Sequence, residues 1–363
     1  MTMHSAEATT RRAFQDQSSL CNAMGSPFTA TLCRLFAERE VPHSDEAGRA
    51  LYEALYEWTG NPGYTADVLP LRLTGALHSL VLSGDVPSLK VCYPPNTVSD
   101  NALWQAVLKA IKQHSRFVIH RLGSAPQTNE VQRSGVIAAG LACLSDLSTL
   151  PISLLEIGAS AGLNLFPDAY SIRLDGRQYG DPESPVLINP EWRGNRFQHS
   201  PATIATRAGC DLMPIRLQDD ASRDRLLSYI WPDQFDRLQR TRDAIDIIKT
   251  NANCVVQSDA ASWLQSDAVS VPTDYQQVVM HTVVWQYMSQ SAKQATQDAI
   301  YAMGAKADAV RKVAWFRLEA DTSGLEGGAL LLDYWDGGST QPQHHVLGRA
   351  DFHGRWIDWV GLQ

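Results

Sequence analysis

The hydrophobic pattern of this chain changes period once, near residue 151, and that change limits the folds open to it. From about residue 27 to 150 apolar residues recur at three- and four-residue intervals, the spacing of amphipathic helices. The segments are Pro27 to Glu40, Glu46 to Trp58, Val68 to Ser83, Asp100 to Leu122 and Val131 to Leu147. Thr59-Gly60-Asn61-Pro62-Gly63, Gly84 and Gly123 punctuate them, and Asp100 is the expected N-cap of the fourth. Only short extended pieces, around Leu89 to Tyr93, interrupt the helical reading. Beyond residue 151 apolar runs of strand length alternate with helical stretches. The strands are Ile152 to Ile157, Pro201 to Cys210, a buried Cys254 to Gln257, Gln277 to Trp285, Val313 to Leu318, Ala329 to Tyr334 and Arg355 to Val360. Helices are expected over Asp220 to Thr250, broken at Trp231-Pro232, and over Ser291 to Gly304. Apolar strands separated by helices predict a mostly parallel sheet covered on both faces. The last two strands have no helix between them and predict an antiparallel edge. The expected organisation is a helical N-terminal domain over residues 1–135 and an α/β domain over 136–363, with an insertion at about 170–200.

A chain of 363 residues with 44% hydrophobic and 19% charged residues can bury a large core unaided. No apolar run approaches the roughly 18–20 residues of a membrane span. Met1 to Ser19 is polar, carries Arg11 and Arg12, and lacks the apolar core of a secretory signal. The six cysteines are scattered with no CxxC pair, the usage of reduced cytoplasmic thiols and not of disulfides or zinc. Lys plus Arg number 31 against 39 Asp plus Glu, a net charge of −8, so neither a nucleic acid nor a membrane is the expected partner. His344, His345 and His353 have no acid or cysteine at ligand spacing, so they predict an edge hairpin and no metal site. A small molecule is the expected partner; the oligomeric state is not encoded in any of these features.

The sharpest motif is Leu154-Leu155-Glu156-Ile157-Gly158-Ala159-Ser160-Ala161-Gly162-Leu163-Asn164. It reads as a buried strand, a turn of small residues and the start of a helix, whose free N–H groups would face a ligand. Three chemistries compete for it. An S-adenosylmethionine site resembles an apolar strand ending in an acid followed by a G-x-[GS]-x-G loop, which Glu156, Gly158, Ser160 and Gly162 supply. That ligand has no phosphates, and the loop has no basic residue. An acid closing the second strand would take the ribose, and Asp211 is in the right order. A further acid after the third strand would lie near the adenine, where Ser258-Asp259-Ala260 stands. A dinucleotide site would need glycines in place of Ser160 and Leu163. A serine hydrolase remains open, because Gly158-Ala159-Ser160-Ala161-Gly162 spells G-x-S-x-G, with Asp333 and His353 following in a permitted order. Against it stand the helices, not strands, that precede the motif, and the carboxylate of Glu156 two residues ahead of the elbow.

Gln127-Thr128-Asn129-Glu130, the Leu154 to Leu165 motif, Gly180-Asp181-Pro182, Glu191-Trp192-Arg193-Gly194, Gly209-Cys210-Asp211-Leu212, Tyr229-Ile230-Trp231-Pro232-Asp233-Gln234 and His281-Thr282-Val283-Val284-Trp285-Gln286-Tyr287 together resemble a bacterial family, domain of unknown function 2332. Gly25-Ser26-Pro27 and the Leu71 to Leu82 helix fit it as well. The resemblance covers nearly the whole chain and departs at Met213, where Asn is expected. In its second half the family looks like class I methyltransferases, which implies a Rossmann-like sheet of that type; it brings no activity or substrate.

Other residues have a functional and a structural reading side by side. His281 ends the fourth strand, where a neutral imidazole could take a proton from a methyl acceptor, or could simply bond to backbone. Glu191 and Arg193 could recognise a substrate carboxylate, or pair with each other. Tyr229, Asp233 and Gln234 could face a cleft, or Asp233 could cap the segment after Pro232. Asn129, Glu130 and Arg133 could close over a ligand, or cap the helix that follows. The leading expectation is S-adenosylmethionine-dependent methyl transfer to a small polar molecule, with His281 as base; a hydrolase and a non-catalytic binding protein are the alternatives.

Overall fold

The structure, a computed structural model, describes residues 3–250, 254–269 and 273–362. The chain divides into two compact units: Met1–Thr128 with Asp219–Gln239, and Asn129–Gln218 with Arg240–Gln363.

The first unit is helical. It contains Met3–Ala23, Pro27–Glu38, Glu46–Tyr56, Leu69–Leu82, Pro87–Lys90, Asp100–Gln113, Ser115–Leu122 and Asp220–Ser228. Its core gathers Phe14, Leu35, Phe36, Leu55, Tyr56, Leu73, Leu77, Trp104 and Val107, all buried. The first helix is not apparent from hydropathy. Its inward positions Thr10, Ala13, Phe14, Gln17, Ser18 and Cys21 keep helical spacing but are mostly small or polar. The fourth expected helix breaks at His114, and its N-cap is Ser99, whose hydroxyl accepts from the Ala102 N–H; Asp100 is the first helical residue. Asp233 does not cap the segment after Pro232. Its carboxylate accepts from the Phe28 N–H at 2.9 Å and from the Ser26 hydroxyl, and so caps Pro27–Glu38 from 205 residues away.

The second unit is α/β. Its strands are β1 (Ile152–Ile157), β2 (Ser171–Leu174), β3 (Arg177–Gly180), β4 (Leu187–Ile188), β5 (Glu191–Gly194), β6 (Ile204–Asp211), β7 (Val255–Gln257), β8 (Tyr275–Thr282), β9 (Arg311–Glu319), β10 (Gly328–Trp335), β11 (Gln343–Ala350) and β12 (Trp356–Trp359). Nine form one sheet in the order β5-β12-β11-β10-β9-β8-β1-β6-β7, and β3-β2-β4 form a small second sheet within the expected insertion. The run β7-β6-β1-β8-β9 is parallel throughout. From β9 to β12 the strands are antiparallel, and β5 joins β12 parallel. All six residues of β1 are buried, as befits a strand covered on both faces. One face carries Leu155, Ile157, Val279, Val313, Trp315 and Trp335 against Ala299, Ile300, Trp263 and Leu264. On the helix Ser134–Ser145, Gly140 allows close approach to Phe316: an added Cβ would lie 2.6 Å from its ring.

Three expectations change. Ala329 to Tyr334 and Arg355 to Val360 are not neighbours, because β11 lies between them. Its residues, Gln343 to Ala350, include three polar or basic ones at its start, which hides the strand period. β7 is not buried: it is the sheet's edge, with Val256 and Gln257 exposed. No α-helix follows the Leu154–Asn164 motif. Two short 3-10 turns, Leu163–Leu165 and Pro167–Ala169, take its place, since Pro167 interrupts the backbone ladder a helix would need.

Candidate functional site

The chain leaves β1 toward β6 on one side and later enters β8 on the other. The strand order therefore reverses between β1 and β8, the kind of switch point at whose carboxyl end open α/β sheets bind ligands. Into this end β1 delivers Glu156, and the following loop turns on three residues in the left-handed region: Gly158 (φ 68°), Ser160 (φ 55°) and Gly162 (φ 77°). At Gly158 a side chain would meet Val284 at 2.6 Å, so the β1 and β8 loops approach as closely as backbone allows.

Four of the loop's own N–H groups are already engaged. Ala159 N–H donates to the Cys210 carbonyl at 3.0 Å, and Gly162 N–H to the Ala159 carbonyl at 2.7 Å. Ser160 N–H donates to Asp211 Oδ2 at 2.9 Å, and Leu163 N–H to Asn129 Oδ1 at 2.9 Å. Asp211 Oδ1 takes the Met213 N–H at 2.8 Å. With the helix start gone as well, the loop is not an anion cradle; it is a rigid ledge braced by Asp211 and Asn129.

Glu156 is the anomaly of the site. It is 3% exposed, and its Oε2 has no hydrogen-bond partner. Burial pushes its carboxyl well above the usual range; Arg133 opposes that shift and Asp211 adds to it. Arg133 is anchored by its Nε to the Phe352 carbonyl (2.7 Å) and by Nη1 to the Thr282 carbonyl (3.1 Å), which ties the β8 end to the β11–β12 loop. Glu130 accepts from the Gln132 N–H and caps the 3-10 turn Val131–Arg133. Asp259 follows β7, and Ser258 N–H donates to the Asp211 carbonyl. Asp259 accepts from the Ser262 N–H at 2.9 Å, which holds its carboxyl below the ordinary value, and Ala260 opens the helix Ala260–Leu264 that it caps. The charges of Asp211, Asp259 and Glu156 all reach the buried Cys210 thiol, whose pKa burial first and then these acids raise to about 12, against the Gly158 N–H that lowers it. Three carboxyl groups, at the ends of the neighbouring strands β1 and β6 and just after β7, thus act on one thiol.

Other candidates lie elsewhere. Strand alternation puts His281 on the opposite face of the sheet from Glu156, since Met280 is the register partner of Glu156. His281 is fully buried, its ring stacked on Trp285 at 5.0 Å and its Nδ1 2.7 Å from Glu319 Oε1. The same oxygen accepts from the Val284 and Trp285 N–H groups, so Glu319 braces the loop that meets Gly158. His281 Nε2 has no partner. Sequence reading missed Glu319; an acid at the end of an otherwise apolar strand was the available signal. On β5 Glu191 is exposed and Arg193 half-buried, and they are bonded to each other at 2.9 and 3.0 Å. Tyr229 belongs to the helical unit, where it is buried with its hydroxyl on the Ser124 carbonyl. Among the described residues no three His, Cys, Asp or Glu side chains come together to hold a metal ion, and no helix is long and apolar enough to cross a membrane.

The family model described as "Uncharacterized protein conserved in bacteria (DUF2332)" matches residues 11–359, and the chain belongs to that family. No curated protein and no solved structure matches it.

Proposed function

We propose that this member of the DUF2332 family binds S-adenosylmethionine at the carboxyl ends of β1, β6 and β7 and transfers its methyl group to a small polar acceptor. The observation that carries the reading is the set of three carboxyl groups, Glu156, Asp211 and Asp259, at neighbouring strand ends beside a loop of which four N–H groups are already engaged. Such a surface suits a ligand that is cationic and rich in donors, and it does not suit a phosphate. The parallel order β7-β6-β1-β8-β9 also agrees with the sheet of class I methyltransferases, although the antiparallel strands that follow form a meander.

S-adenosylmethionine supplies a sulfonium-activated methyl. Glu156, ionised on pairing, would hold the ammonium of the methionine part. Asp211, which also braces Ser160, would take the ribose hydroxyls, and Asp259 would lie toward the adenine. His281 could accept the acceptor's proton only through Nε2, because Glu319 occupies Nδ1, and the Trp285 ring would have to give way. The test is calorimetric titration with S-adenosylmethionine and S-adenosylhomocysteine, after checking for copurified ligand by mass spectrometry. The expected result is micromolar binding to both that Glu156→Gln weakens at least tenfold. No binding to ligand-free protein would remove the proposal.

One observation favours the hydrolase reading: Ser160 has the positive φ of an elbow nucleophile. Its hydroxyl is buried with no partner, so no base is in place to activate it. Labelling of Ser160 by a fluorophosphonate would establish that reading in place of the first.

A further inference from the structure

The helical unit buries a guanidinium that forms no ion pair among the described residues. Arg121 is 8% exposed. Its Nη2 donates to the Ser228 hydroxyl at 2.8 Å, and the Tyr229 ring lies 5.5 Å from its central carbon. Its Nε is enclosed without an acceptor. Ser228 cannot serve it further: the hydroxyl donates to the Arg225 carbonyl, and the Ser228 carbonyl takes His78 Nδ1 at 3.2 Å. Arg225, one turn earlier on Asp220–Ser228, is half-buried, and its Nε is enclosed and unpartnered as well. Arg72 spends Nε and Nη1 on the carbonyls of Asp67 and Leu122, which satisfies donors and leaves the charge unmatched. The charges of all three reach the Tyr229 hydroxyl. The attraction of Asp224 reaches Arg121 and is the weakest of the influences upon it.

Guanidiniums are buried at a cost that a carboxylate or phosphate normally offsets, and their planar fork matches those oxyanions. Two enclosed donors on neighbouring guanidiniums, one of them more than nine-tenths buried, mark a place where the acceptor comes from outside the chain. We propose that Arg121 and Arg225 form an oxyanion-binding site in the helical unit, which takes a carboxylate or phosphate group of a small ligand. This stands on the helical unit alone and does not depend on the methyl-transfer reading.

The experiment uses the full chain at constant ionic strength, with inorganic phosphate and acetate titrated separately, read by thermal midpoint and calorimetry. The expected result is a saturable rise of about 2–4 °C for at least one anion; which anion acts identifies the ligand's group. Arg121→Lys keeps the charge but loses the fork, and should weaken that anion at least tenfold. Arg225→Gln changes a half-buried residue, preserves the fold, and should weaken it equally. No saturable rise with either anion, or an undiminished rise in Arg225→Gln, overturns the proposal.

Discussion

At the antiparallel end of the large sheet Asp333 is buried with both oxygens engaged, one by Arg317 at 2.8 Å and one by His344 at 2.7 Å. At the parallel end Glu156 is buried as deeply, and its Oε2 has no partner. The contrast extends to the acids nearby, although both ring nitrogens of His345 on β11 are enclosed without a partner. Asp351 holds Arg355 and the N–H groups of His353 and Arg355, and Asp321 holds Arg349. Around β1, by comparison, the Ser160 hydroxyl and His281 Nε2 are also enclosed without partners. A buried charge whose partners are all internal contributes to holding strands together. One without them weakens the fold, and its value lies in what it can bind.

That contrast predicts opposite results from removing the two acids. Asp333→Ala strands Arg317, which is largely buried, and should cost about 3 kcal/mol in urea unfolding. Glu156→Gln removes no hydrogen bond at Oε2 and should leave stability unchanged or raised while it lowers S-adenosylmethionine affinity at least tenfold. If Glu156→Gln were as destabilising as Asp333→Ala, the parallel end would be ordinary structure and the contrast would disappear.

A smaller effect sharpens the same comparison through pH. Burial raises the carboxyl of Glu156 in the folded chain, so its stability contribution is fullest below the ordinary range near 4 and falls as pH rises through the raised value. The midpoint of the native protein minus that of Glu156→Gln should become more negative from pH 4 to 8. Asp351 behaves in the opposite sense. Burial alone would raise its carboxyl, but Arg355 and the backbone donors more than reverse this, so the folded value is depressed. Its stabilisation is present above the ordinary range and is lost as pH falls through the depressed value. The native midpoint minus that of Asp351→Asn should shrink on acidification from pH 5 to 2. Equal slopes in the two variants would show that both carboxyls sit in comparable surroundings.

The parallel half was the legible half. Ile152 to Ile157 is uniformly apolar but for Ser153 and Glu156, and the strand is β1. The acids expected at strand ends are at the ends of β1 and β6 and just after β7, because loop position follows from strand order. What the sequence concealed was set by distant partners. Asp233 caps a helix some 200 residues away with no local signal, and Glu319, marked only as an acid ending an apolar strand, organises the His281 loop. Met3–Ala23 buries a face of small and polar residues that hydropathy cannot detect. The helix expected after Gly162 is absent because Pro167 lies within its would-be first turns, a breaker that the G-x-[GS]-x-G pattern does not include. Arg121 has no local signal either, since a lone arginine in an amphipathic helix reads as solvated until its burial is known.

Glu191 and Arg193 supply the smallest effect. They form a two-point ion pair, yet Glu191 is 63% and Arg193 38% exposed at the side chain, so water screens the attraction. Arg193 also lies over Trp356, its central carbon 4.7 Å from the ring, and its stem covers apolar surface there. Glu191→Ala should therefore change stability by less than about 0.5 kcal/mol, and Arg193→Ala by slightly more through lost packing. A double-mutant cycle should give a coupling below about 1 kcal/mol, and cofactor affinity should be the same in all three variants. A tenfold loss of affinity in either single variant would instead extend the binding region to β5 and to the antiparallel end, where the comparison between the two ends expects only structure.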